Sequence, residues 1–223
     1  MRYDAPPAFT HSFEINANPG LTPASPEGPV ALPGVYTLRL NVEGHAYSQT
    51  VAVKPDPRSP ASAAELSAQH DLLMKMFDGI KVSYEGHRAA VALQAALKGV
   101  VPAGTQPEFP DIASRLTLYS AQLDTVAGLD ASRGRGRAGQ PPPNFRAINV
   151  ALVSQLTAQD LGDMAPTPAT LAAFTRTCGE LTGVVTAWQR LSTSELDAFN
   201  AVLKQHGRSL IAIRVSTLKP PTC

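Results

Sequence analysis

With 223 residues, 43% of them hydrophobic, the chain has material for one large core or two small ones. Its 19 basic and 18 acidic side chains leave a net charge of +1, too weak a field to gather nucleic acid or an acidic membrane, and 6% aromatics make a poor base-stacking platform. No apolar run approaches the ~18 residues of a membrane span, and Met1-Arg2-Tyr3-Asp4 has no apolar signal core. The expected location is therefore the cytoplasm, with export of a parent protein as the alternative.

The N-terminal portion reads as β. Phe9, His11, Phe13 and Ile15 alternate with Thr10, Ser12, Glu14 and Asn16, the period-2 pattern of a half-buried strand. After a Pro/Gly-rich connection over 18–34, Gly34 to Val42 and His45 to Val53 are β-rich runs separated by Glu43-Gly44, which predicts a hairpin. Pro55, Pro57 and Pro60 end the sheet. Three strands leave one face and two edges to be covered, by the helices or by a second copy of the chain.

From about residue 62 the period becomes helical. Ser62-x-x-Glu65 is a capping box, and Leu66, His70, Leu73, Phe77, Ile80, Tyr84, His87 and Val91 step by four and three along one face. Lys98 and Gly99 suit the end of that helix; Gly79 and Gly86 inside it suit close packing or a bend. A second helix is predicted from Pro110 with Ile112, Leu116, Tyr119, Leu123 and Val126 inward. A loop over 127–143 carries Arg133-Gly134-Arg135-Gly136-Arg137. A third helix starts near Asn144, and Thr167-Pro168 opens a fourth with Leu171, Phe174, Cys178, Leu181, Val185 and Trp188. Ser192-x-x-Glu195 is a second capping box before a last helix holding Leu196, Phe199 and Leu203, stopped by Gly207. The fold class expected is α+β: a short antiparallel, partly immunoglobulin-like β segment over 1–57, an up-and-down helical bundle over 58–213 and a tail over 214–223. Cys178 lies in an apolar helical pattern and Cys223 follows two prolines; nothing in their spacing forces a pairing, and both are read as thiols.

Pro33-Gly34-Val35-Tyr36-Thr37-Leu38-Arg39-Leu40, the hairpin running to Val53, Asp56-Pro57-Arg58, Pro166-Thr167-Pro168 and Asp197-Ala198-Phe199-Asn200 resemble the C-terminal region of bacterial sortilin-like, BNR-repeat β-propeller proteins, often labelled glycosyl hydrolases. The resemblance covers roughly residues 1–212. It implies an end-piece without its propeller, and no catalytic residue carries over.

There is no phosphate loop, dinucleotide fingerprint, nucleophile elbow, Cys-x-x-Cys or His-Glu-x-x-His. The first functional reading is accordingly a non-catalytic accessory module that self-associates or packs on a propeller domain, with no cofactor and no nucleic-acid or membrane partner. The rival is a small metal-dependent hydrolase of activated esters or phosphotriesters, with zinc or a similar divalent ion held by His70 and His87, whose bound water would supply hydroxide. Those two histidines are 17 residues apart, about 25 Å along one helix, so neither alone completes a site with the other. His206 suits a helix C-terminus, His45 a solvated hairpin end, and His11 a packed strand face. The arginine loop reads as a solvated linker, with RNA binding as a lesser alternative.

Overall fold

The computed structural model describes residues 1–10, 26–100, 109–129, 142–213 and 217–223. Among the described residues a two-stranded antiparallel hairpin, β1 (Gly34–Val42) and β2 (His45–Val53), precedes five α-helices: α1 (Ala63–Lys98), α2 (Pro110–Ala127), α3 (Phe145–Gln159), α4 (Pro168–Arg190) and α5 (Leu196–Gln205). The chain is thus an α+β protein, a small β segment followed by a helical bundle. Of the first strand expected over 9–16, residues 11–16 lie outside the described residues, as does the arginine loop. Phe9 is described and is not in a strand. An isolated antiparallel bridge joins Arg2 to Val30.

Local signals set most helix starts. Ser62 Oγ accepts from Glu65 N at 3.3 Å while Glu65 Oε2 accepts from Ser62 N at 2.8 Å, so the first capping box is complete. Asn144 Oδ1 accepts from Ala147 N at 2.9 Å, and Thr167 Oγ1 from Thr170 N at 3.1 Å. The second capping box does not form. Leu191–Glu195 is a single π turn that joins α4 to α5, and Ser192 Oγ donates backward to Gln189 O. The physical reason is tertiary: Leu191 and Leu196 are both buried. The widened turn keeps both in the core, and Tyr119 Oη donates to Leu191 O at 2.5 Å.

Helix α1 is the spine, packed against α2, α3 and α4. Its buried face is rotated about one position from the stripe of large residues. It centres on Leu72, Met76, Gly79, Ser83, Gly86, Ala90, Leu93 and Leu97; of the expected stripe Leu73, Ile80 and His87 are buried, whereas Leu66, His70, Phe77 and Tyr84 are half-buried and Val91 is exposed. The small residues let α3 approach. A Cβ on Gly86 would stand 2.5 Å from the Phe145 ring, and one on Gly79 would stand 2.9 Å from Leu152 Cδ1.

Buried amides fasten the irregular segments to this spine. Asn149 on α3 donates to Ile80 O at 3.1 Å, and its Oδ1 accepts from Phe9 N at 3.2 Å, with Pro7 O also within reach. Gln69 donates to Gln159 O and Gly162 O at 2.8 and 2.7 Å, pinning the α3–α4 connection. Residues 1–10 therefore lie against the bundle.

The two cysteines are bonded to each other, which corrects the expectation of thiols. Residues 45 apart in sequence come within 5.7 Å between Cα atoms because the stretch 217–223 returns along α4. In the chain-entropy treatment, closing a loop of that length contributes about 4 kcal/mol.

The close approach at Gly86 yields a paired prediction. Gly86→Ala should destabilise the protein by about 1–2 kcal/mol, because crowding a buried ring outweighs the gain in helix propensity. Gly183→Ala, where a Cβ meets nothing within 4 Å, should instead stabilise by up to about 1 kcal/mol. Urea denaturation midpoints of the two variants should move in opposite directions.

Candidate functional site: an uncovered hairpin and the cleft at its foot

The hairpin register runs from Gly34↔Val53 through Leu38↔Gln49 to Val42↔His45. Strand alternation then sorts the side chains into two unlike faces. One holds Tyr36, Leu38, Leu40 and Val42 with Tyr47, Val51 and Val53, interrupted only by His45 and Gln49. The other holds Thr37, Arg39, Asn41, Ser48 and Thr50 with Val35, Ala46 and Ala52. Such segregation ordinarily marks a strand pair with one face in a core. Among the described residues no helix packs on either strand, and Leu38, Leu40 and Tyr47 are 50%, 62% and 61% exposed. At the foot Tyr36 Oη donates to Leu32 O at 2.6 Å, and Tyr36, Val51 and Val53 are half-buried.

The turn at the tip places Glu43 at φ +48° and Gly44 at φ +84°, the two left-handed residues of a type I′ turn. Glycine takes the second position freely; glutamate takes the first at a cost.

At the foot, a cleft of about 400 Å³ opens between the N-terminal segment, the hairpin base, α1 and the α3–α4 connection. Its polar lining includes Arg2, Lys54, His70, Asp160 and Asp163. Arg2 closes one wall, bonding to Asp160 and Gly28 O, with Glu27 at 3.4 Å. Burial raises the Asp160 carboxyl above the ordinary aspartate range; the Arg2 guanidinium opposes this without cancelling it. A smaller hollow of about 200 Å³ lies beside the same foot and shares Leu32, Pro33, Pro55 and Leu66 with the cleft.

The two histidines of the metal reading sit in different surroundings. His70 lines the cleft, with Nδ1 3.0 Å from Val30 O and its ring 5.7 Å from that of Tyr3. A carbonyl only accepts, so Nδ1 carries the proton and a neutral ring keeps its lone pair on Nε2. His87 is buried, with Nδ1 2.8 Å from Ala127 O and the Phe9 ring edge-on at 4.5 Å. The helix that carries both is unbroken, so they are not brought together. Among the described residues no group of three or more His, Cys, Asp or Glu converges in a way that could hold a metal ion. His45 is exposed at the end of β2, and His11 lies outside the described residues. His206 Nε2 meets Asp111 Oδ2 at 2.8 Å and its ring lies on Phe109 at 4.1 Å, fixing the end of α5 to the start of α2. The same contact holds the Asp111 carboxyl below its usual range.

Sequence reasoning did not anticipate the Arg2–Asp160 pair, whose members are separated by 158 positions, nor the buried amides Gln69 and Asn149. The chain matches no family model, and searches of curated proteins and of solved structures find no significant match. Among the described residues no helix is long and apolar enough to cross a membrane.

Two predictions follow from this geometry. Replacing Glu43 by Asn, which tolerates φ > 0, should stabilise the hairpin by about 0.5–1 kcal/mol. Cross-strand amides of β1 and β2 should then exchange several-fold more slowly, with the bundle's melting temperature unchanged. The second concerns Asp160. A carboxyl with a raised folded-state pKa binds its proton more tightly folded than unfolded, so stability declines as pH rises from the unfolded value near 3.9 through the folded one. Asp160→Asn should therefore be at least as stable as the parent at pH 7, with the difference shrinking below pH 4. Urea midpoints measured across that range check it. Destabilisation by more than about 1 kcal/mol at pH 7 would mean the Arg2 pair dominates.

Proposed function

We propose that this chain is a non-catalytic interaction module whose working element is the hairpin, and that the hairpin's apolar face packs on the same face of a second copy. The observation that carries the reading is an apolar face on which, among the described residues, Leu38, Leu40, Val42 and Tyr47 are exposed, with Tyr36, Val51 and Val53 half-buried toward the foot. An isolated two-stranded hairpin is marginal in water and gains stability when that face is covered.

Magnitudes favour stacking over edge pairing. Adding a strand edge gains about five backbone hydrogen bonds, at a net ~1 kcal/mol each. Nine-residue strands give a face ~30 Å long and about 10 Å wide. Two such faces stacked bury on the order of 600–1,000 Å², a gross gain of about 15–25 kcal/mol at 25 cal/mol/Å². Association costs consume most of it, and the area is at or below the lower edge of specific interfaces. A weak, concentration-dependent dimer is the consequence.

Charge supports a second copy as the occupant. The apolar face carries no Asp, Glu, Lys or Arg, while Arg39 lies on the other face. A net charge of +1 sets up no long-range repulsion between copies. The reading of the chain as the end-piece of a propeller protein, and of a propeller as the covering partner, rests on the sequence resemblance alone. The Cys178–Cys223 bond favours an oxidising compartment over the cytoplasm, since such bonds persist there and are reduced by cytosolic thiols. The metal-hydrolase reading gains no support from His70 and His87, which lie far apart on one unbroken helix with no group of three ligands converging among the described residues.

Sedimentation equilibrium across the micromolar range tests the proposal. The parent chain should shift from monomer to dimer with concentration, and Leu40→Lys/Tyr47→Lys should stay monomeric with unchanged helical circular dichroism. A parent that stays monomeric up to the high micromolar range rules out the second copy and points to a different β partner. A dimer that survives the double substitution places the contact elsewhere.

A further inference from the structure

The stretch 217–223 forms a strap along the bundle, and the disulfide is one of its two anchors. At one end Leu218 is buried in the core and its carbonyl accepts from Gln189 Nε2 at 2.8 Å. At the other, Cys223 is bonded to Cys178, with Thr182 Oγ1 3.9 Å from its sulfur. Lys75 Nζ on α1 reaches Cys223 O at 3.5 Å, so the strap borders α1 as well as α4. The dimensions agree with an extended strand lying antiparallel to α4. Gln189 and Cys178 are eleven residues apart, about 16 Å on a helix, and Leu218 and Cys223 are five apart, about 17 Å extended. Pro220 and Pro221 hold the intervening backbone extended and offer no N–H to the bundle.

The anchors are unequal. Cys178 is 1% exposed, whereas Cys223 is exposed. Of the two residues, Cys223 is the one that solvent and an incoming thiolate reach more readily. Apart from Leu218, the strap buries no large apolar side chain between its anchors, since Lys219, Pro220 and Thr222 are exposed and Pro221 is half-buried. Among the described residues, the buried Leu218 side chain, the half-buried Pro221, the Gln189 hydrogen bond and the long Lys75 contact are what is left once the covalent bond is gone.

We propose that the strap is a redox-released cover on the α1–α4 side of the bundle, latched when oxidised and free when reduced. A low-molecular-weight thiolate attacks Cys223 Sγ. The Cys178 sulfur leaves as thiolate and takes up a proton, and Cys223 is held as a mixed disulfide. A second thiolate then attacks the small-molecule sulfur of that mixed disulfide, expelling Cys223 as a thiolate that is protonated to the thiol and forming the small-molecule disulfide. Two protein sulfurs are reduced and two small thiols are oxidised to one disulfide. The strap then leaves α4, and the surface beside Gln189 and Cys178 is opened to solvent or to another polypeptide.

The chain carries one tryptophan, Trp188, which is fully buried and adjoins Gln189, so its emission reports on this surface. The experiment compares oxidised protein, protein reduced with excess glutathione, and Cys223→Ser, following the heteronuclear 1H–15N NOE of the 217–219 amides, acrylamide quenching of Trp188 and helical circular dichroism. In the reduced and Cys223→Ser proteins the strap NOE values should fall to those of a mobile segment and quenching should rise, while helical content stays the same. As a second measurement, Leu218→Ala in the oxidised protein should speed reduction several-fold by loosening the other anchor. Strap amides as rigid after reduction as before would overturn the proposal, because the strap then stays docked without its bond. Loss of helical signal on reduction would overturn it too, making the bond a staple of the whole fold.

Discussion

The separation between α1 and α3 is set by two missing side chains. At Gly79 and Gly86 the backbone of α1 comes close enough that Leu152 and Phe145 lie where a β-carbon would be. That approach permits the rest of the architecture. With α3 so near, Asn149 reaches Ile80 O on α1 and also holds Phe9 N. The segment bearing Phe9 is in turn laid across Tyr84 and His87. Near the opposite end of α3, Gln69 of α1 grips the carbonyls of Gln159 and Gly162. Buried amides are costly unless paired, and both pair because the helix spacing brings backbone acceptors within their reach.

Local chemistry was legible in the sequence wherever a few adjacent residues decide the outcome. The capping residues Ser62 and Thr167, the hairpin turn at Glu43-Gly44 and the helix starts at Pro110 and Asn144 are all of that kind. Ser192-x-x-Glu195 has the same local chemistry as Ser62-x-x-Glu65 and a different outcome. The chain beyond it is still needed in the core, and Tyr119 from another helix stabilises the widened turn. The buried face of α1 was misplaced by about a residue for a related reason: a stripe drawn through the largest side chains misses a contact made by small ones, with the bulk supplied by the neighbouring helix. Spacing says nothing about Cys178 and Cys223, because their encounter depends on the return path of 217–223 along α4. The Arg2–Asp160 pair at the cleft is hidden in the same way.

Stability is distributed unevenly over this chain. The bundle contains every buried Leu, Phe and Trp side chain among the described residues apart from Leu218, which the strap inserts into it. The hairpin contains none and is bordered by two hollows at its foot. Rigid bodies with weakly held extensions place binding surfaces where ordering costs fall on few residues. The face segregation of the hairpin is the informative part. A strand pair meant only as a solvated excursion has no use for seven apolar side chains on one side, and the exposure carries an aggregation risk that sequences ordinarily blunt with charge.

The hairpin foot and the strap meet the same stretch of α1, His70 lining the cleft and Lys75 touching Cys223 O, about 8 Å apart along the axis. Proximity alone does not couple them. Coupling needs an element with two arrangements that both sites bias, and α1 is a continuous helix locked on its buried side by Met76, Gly79 and Ile80. Lys75 is exposed and its contact with the strap is long, so losing it releases nothing that His70 or Leu73 depends on. The self-association proposed for the hairpin face and the release proposed for the strap are therefore separate proposals, the first a matter of concentration and the second of thiol chemistry.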